Sequence, residues 1–144
     1  MLAAVLLAAC DDKNDGSQLD QEAVARARAT DINPASLNCK KAGGILTLYK
    51  RPDGSDYGIC NFNNGLKCEE WAMLLNYCPP GGIDVSQLPD EPARYCALHG
   101  GRFHPKVWGD SGPATCDLPG NVTCKTDDFY KGTCGTTIGK TLGH

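Results

Sequence analysis

The sequence predicts a small, disulfide-rich α+β fold: two tandem α-β-β-α modules, each with a β-hairpin and two bridges of its own. Three observations predict it. Cys39, Cys60, Cys68 and Cys78 are separated by 21, 8 and 10 residues, and Cys96, Cys116, Cys124 and Cys134 by 20, 8 and 10. A Gly-Gly pair follows the leading cysteine at the same offset in each set, Gly43-Gly44 and Gly100-Gly101, so the ladder reads as a duplicated unit. A unit of about 40 residues hides too little apolar surface to fold on its core alone, and cross-links are the usual remedy. Zinc is the rival use of these cysteines, but neither set contains the close Cys-x-x-Cys pair that commonly supplies two ligands from one turn.

The first module, 33–78, opens at Asn33-Pro34, a good N-cap followed by the residue favoured at the first helical position. A helix should run from Pro34 to about Ala42, with Gly43 as its left-handed stop. Ile45 to Tyr49 has strand propensity, Pro52-Asp53-Gly54 reads as a turn, and Tyr57 to Phe62 returns as a second strand. After Asn63-Asn64-Gly65, the spacing of Cys68, Trp71, Leu75 and Cys78 predicts one helix from Cys68 to Cys78, ended by Pro79-Pro80. Residues 79–91 are a proline- and glycine-rich linker.

The second module, 92–134, repeats the plan. A short helix from Pro92-Ala93 carries Cys96 and stops at Gly100-Gly101. A hairpin follows, with strands at Arg102–Trp108 and Ala114–Leu118, and a weaker helix covers Lys125 to Thr133. Residues 135–144 form a loose tail that includes His144. The eight cysteines allow 105 pairings; pairing within modules leaves three schemes, which the sequence does not separate.

Ahead of the modules, Leu7-Ala8-Ala9-Cys10 closes an apolar run and is followed at once by Asp11-Asp12. It resembles the lipobox of bacterial lipoprotein signal peptides. No Lys or Arg precedes it, and nine residues is short for a signal, which a start placed too far downstream explains. The resemblance implies that residues 1–9 are a signal remnant and that Cys10 is the lipid-attachment residue. Residues 10–32 are then a lipidated polar tether with a short helix between Gln18 and Thr30. Two or three acyl chains, palmitate among them, hold a protein stably in a bilayer where one does not. The run is too short for a transmembrane helix. The expected location is the bacterial cell envelope, facing the periplasm, with inner and outer membrane both open.

With 14 basic and 17 acidic residues and no Lys/Arg cluster, the chain has no electrostatic footprint for nucleic acid. Nothing in it implies a cofactor or a metal. His99 and His104 flank a glycine break and do not share a helical face. Glu69-Glu70, beside Trp71, diverge by about 100° if helical, and favourable charge in a helix's first turn accounts for them. Asn121-Val122-Thr123 matches a glycosylation sequon that carries little meaning in a bacterium. No catalytic site is predicted. Each module has five aromatic residues, mostly for packing; Trp108, beside a predicted loop, is the candidate recognition residue.

Asn33 to Cys39, Gly43-Gly44, Gly58-Ile59-Cys60-Asn61-Phe62, Gly65, Cys68-Glu69-Glu70-Trp71 and Cys78 closely resemble the bacterial domain of unknown function 333. Residues 92–134 look like a diverged second copy that keeps the cysteines and glycines but loses Cys-Glu-Glu-Trp. The resemblance implies a small exported protein, often a lipoprotein, of a family frequently labelled haemolysins. No pore-forming segment accompanies that label. The expected function is therefore that of a non-catalytic envelope lipoprotein whose modules hold a protein or cell-wall partner. An inhibitor or immunity-type protein against an envelope hydrolase or toxin is the first alternative, and a haemolysin-like secreted factor the second.

Overall fold

A computed structural model of the chain describes residues 33–135. Cys10, the signal and tether expected at 1–32, and the tail beyond Gly135 with His144 lie outside the described residues.

The first half contains α1 (Pro34–Lys41), β1 (Ile45–Lys50), β2 (Asp56–Asn61), β3 (Lys67–Glu69) and α2 (Glu70–Leu74). The second contains α3 (Glu91–Leu98), β4 (Arg102–His104), β5 (Thr115–Leu118), β6 (Val122–Lys125) and α4 (Thr126–Tyr130). Each half forms a three-stranded antiparallel sheet in sequential order, so the order is α-β-β-β-α where α-β-β-α was expected. The third strand replaces the start of the expected Cys68–Cys78 helix, and the helix that remains has five residues.

Four disulfides explain the shortening: Cys39–Cys60, Cys68–Cys78, Cys96–Cys116 and Cys124–Cys134. Ten residues of continuous helix would separate the Cα atoms of Cys68 and Cys78 by about 15 Å. The bridge holds them 5.9 Å apart, inside the range a disulfide spans. The chain therefore reverses after α2, with Asn76 in the left-handed region at φ +61°. Cys60 and Cys68 are register partners on adjacent strands, as are Cys116 and Cys124. Neither pair bonds across its ladder; each sulfur instead ties the sheet to a helix or to the following segment.

Helix starts agree with their signals. Asn33 accepts the Ala35 N–H at 2.9 Å, and Asp90 accepts the Ala93 N–H at 2.9 Å, one residue before Glu91-Pro92. The recurring Gly-Gly pair has two separate reasons. Gly43 takes φ +82° to end α1, whereas a Cβ on Gly44 would strike the Cys39–Cys60 sulfurs. A Cβ on Gly101 would likewise strike the Cys116 and Cys96 sulfurs. In the second half the strand expected to reach Trp108 ends at His104, because Pro105 has no N–H to extend the ladder.

One buried cluster contains Cys39, Cys60, Cys68, Ala72, Met73 and Cys78. The larger one draws on both halves: Tyr57 and Ile59 of β2 pack with Val85, Tyr95, Leu98, Leu118 and Phe129. Residues 79–91 take part in this packing. Val85 is buried, and Ile83 forms an antiparallel bridge with Lys67 beside β3.

Candidate functional site

A cleft of about 620 Å³ opens where β2, the β3–α2 junction, α3 and α4 meet. Its walls include Arg51, Tyr57, Glu69, Glu70, His99 and Phe129.

Glu69 is the last residue of β3 and Glu70 the first of α2, and each is 4% exposed. The pair does stand at a helix start, Glu69 as the cap and Glu70 in the first turn, but both carboxylates are also buried and both line the cleft. Their roles differ. Glu70 is held by side chains of α1 and its cap, accepting from Asn33 Nδ2 at 3.1 Å and from the Ser36 hydroxyl at 2.6 Å. Space for it exists because residue 58 is glycine; a Cβ there would lie 2.5 Å from Glu70 Oε1. Glu69 caps α2, its Oε2 accepting the Ala72 N–H at 2.8 Å with further help from the Trp71 N–H. Burial outweighs these two bonds and pushes its pKa up to about 7.

His99, 6% exposed, faces the same cleft at the end of α3. Its Nδ1–H donates to the Tyr95 carbonyl at 2.7 Å, and its ring lies against Tyr95 with centroids 3.9 Å apart. Burial holds its pKa down at about 3, so the ring is neutral. With the proton on Nδ1, Nε2 carries a lone pair that has no partner among the described residues. Arg51 enters from the β1–β2 turn; one terminal nitrogen donates to the Asp56 carbonyl at 3.4 Å, and its Nε is buried without a hydrogen-bond partner among the described residues. At the rim Asp53 accepts from the Ser55 N–H at 2.9 Å and its hydroxyl at 2.6 Å. These bonds hold the Asp53 carboxyl below its ordinary pKa.

His104 is not brought to His99: it is exposed and pairs with Asp117 at 2.8 Å. Trp108 is fully exposed on the loop between β4 and β5, next to exposed Val107, and is not among the residues lining the cleft. Among the described residues, no cluster of three His, Cys, Asp or Glu side chains could hold a metal ion. No helix of the described residues is long and apolar enough to cross a membrane. Sequence reasoning passed over Arg51, Tyr57 and Phe129 as cleft residues. The one local signal was the Cys-Glu-Glu-Trp run itself, whose paired acids have no counterpart in the second half.

The comparisons bear on this same segment. Residues 32–76 match the model of DUF333, a domain of unknown function. The DUF333 match includes Asn33, Arg51, Tyr57, Gly58, Glu69 and Glu70, whereas His99 and Phe129 lie beyond it. The uncharacterized protein YdbJ of Escherichia coli strain K12 is 28% identical over 76 residues, which covers 53% of this chain and 86% of YdbJ. YdbJ of E. coli O6:H1 matches to the same extent. No solved structure matches.

Proposed function

We propose that this chain is a non-catalytic binding protein of the bacterial cell envelope, anchored through a lipid on Cys10 and carrying a diverged second copy of the DUF333 module. The observation that carries the reading is the cleft. Its polar groups are held in place by backbone and side-chain hydrogen bonds, and its walls are tied by disulfides, so little freedom is left to lose on association. Four bridges also favour an oxidising compartment. Intact mass of protein from native membranes under non-reducing conditions tests the reading. The expected species lacks residues 1–9, carries diacylglycerol on Cys10 and weighs eight hydrogens less than its reduced form. An unlipidated, fully reduced chain would reject the proposal.

One observation favours the inhibitor reading: wholly exposed Trp108 beside exposed Val107 on the β4–β5 loop suits insertion into an enzyme's cleft. Pull-down against envelope proteins separates the two. A single hydrolase retained tightly, and lost on Trp108→Ala, supports inhibition; a partner unaffected by Trp108→Ala supports the cleft.

A further inference from the structure

Four carboxylates, from Asp53, Asp56, Glu69 and Glu70, line the cleft against one guanidinium, Arg51. Three already have partners: Glu70 has Asn33 and Ser36, Asp56 has Lys50 at 2.8 Å, and Asp53 has Ser55. The hydrogen bonds to Glu69 come from backbone N–H groups, which take two of the roughly four lone-pair positions of a carboxylate; Arg51 acts on it through its charge. His99 adds a second acceptor from a side chain more than nine-tenths buried, its Nε2 making no hydrogen bond among the described residues. Leu48, Tyr57, Trp71 and Phe129 supply apolar and aromatic wall. A site with spare acceptors, surplus acid and aromatic faces recognises a donor that is cationic and attached to an apolar stem.

Resting on the binding reading above, we propose that the cleft takes an alkylammonium group, its N–H donors shared between the Glu69 carboxylate and His99 Nε2. The methylene stem then lies along Tyr57 and Phe129. The group can come from a free alkylamine or from the lysine side chain of a partner protein. An anion is the poorer fit: it would meet four carboxylates against one guanidinium.

The test is a titration of the oxidised full chain at pH 8, where Glu69 is ionised, followed by amide and imidazole NMR shifts. Probes are 1-pentylamine, Nα-acetyl-lysine amide, 1-pentanol and pentanoate. The amine and the lysine derivative are expected to shift Glu69, His99 and Phe129 saturably, with pentanol at least tenfold weaker. Tighter binding of the lysine derivative points to a protein side chain, and tighter binding of pentylamine to a free amine; both support the proposal. Glu69→Gln should weaken amine binding about tenfold, and Asp53→Asn at the exposed rim two- to threefold with the melt unchanged. Equal binding of pentanol, tighter binding of pentanoate, or unchanged affinity in both variants would overturn it. An envelope partner cross-linked at the cleft by a chain that ignores amines would sink this inference alone and leave the binding reading standing.

Discussion

Glu69 and His99 are titratable groups whose pKa values burial shifts in opposite directions, and the shifts have opposite consequences for stability. The carboxylate's folded pKa, about 7, lies above its ordinary 4.5. The native state therefore binds more protons, and stability falls as pH rises from about 4.5 to 7, by about 3 kcal/mol in all. The imidazole's folded pKa, about 3, lies below its ordinary 6.5. Its contribution rises with pH over about 3 to 6.5. Between about pH 4.5 and 6.5 the two slopes cancel, so the native protein's urea midpoint is expected to stay nearly flat. Glu69→Gln removes one slope, and its stability should climb by roughly 2–3 kcal/mol across that window. A parallel, flat profile in the variant would show that Glu69 does not titrate in the cleft. Gly58→Ala is the second expectation at this scale. Its methyl would meet Glu70 Oε1 at 2.5 Å and Leu46 Cδ1 at 2.9 Å. A loss of about 1–3 kcal/mol in chemical denaturation is predicted. The paired acids could be read in the sequence as residues but not as a site. They stand at a strand–helix junction rather than within a helix, and their neighbour His99 is 30 residues away along the chain.

At the level of elements, bridge geometry overrides helical spacing. Each Cys-x9-Cys bridge closes a loop of ten residues and should contribute about 3 kcal/mol by restricting the unfolded chain. Replacing Cys68 and Cys78 together by serine is expected to lower stability by about that much in a denaturant titration. Loss of signal dispersion confined to β3 and α2 in amide spectra would accompany it. The opening helices and hairpins were legible because caps, prolines and turn glycines are local signals: Asn33-Pro34, Gly43 and Pro52-Asp53-Gly54 act within a few residues of themselves. The third strands were not. Lys67–Glu69 is three residues long, too short for alternation to show, and Cys68, Trp71, Leu75 and Cys78 imitate one helical face. Only the knowledge that Cys68 bonds Cys78 rules that helix out.

Across the whole molecule, the two halves share an interior. Tyr57 of the first half meets Tyr95 of the second edge-on at 5.1 Å, and its hydroxyl donates to Glu91 at 3.4 Å. A peptide of residues 33–78, even correctly oxidised, would leave Tyr57 and Ile59 without Val85, Tyr95 and Phe129. It is expected to melt without a cooperative transition where the full chain has one; a sharp transition in the peptide would show that the shared core is dispensable. Sequence reading divided the chain at residues 79–91, because proline and glycine mark a connector whether or not its few apolar residues are buried. Sulfur pairing braces a cleft which a small core alone could not hold open. Non-reducing peptide mapping of the native protein tests this most directly. The expected fragments are joined as Cys39–Cys60, Cys68–Cys78, Cys96–Cys116 and Cys124–Cys134. Free thiols at these positions, or a Cys60–Cys68 link across the ladder, would contradict it.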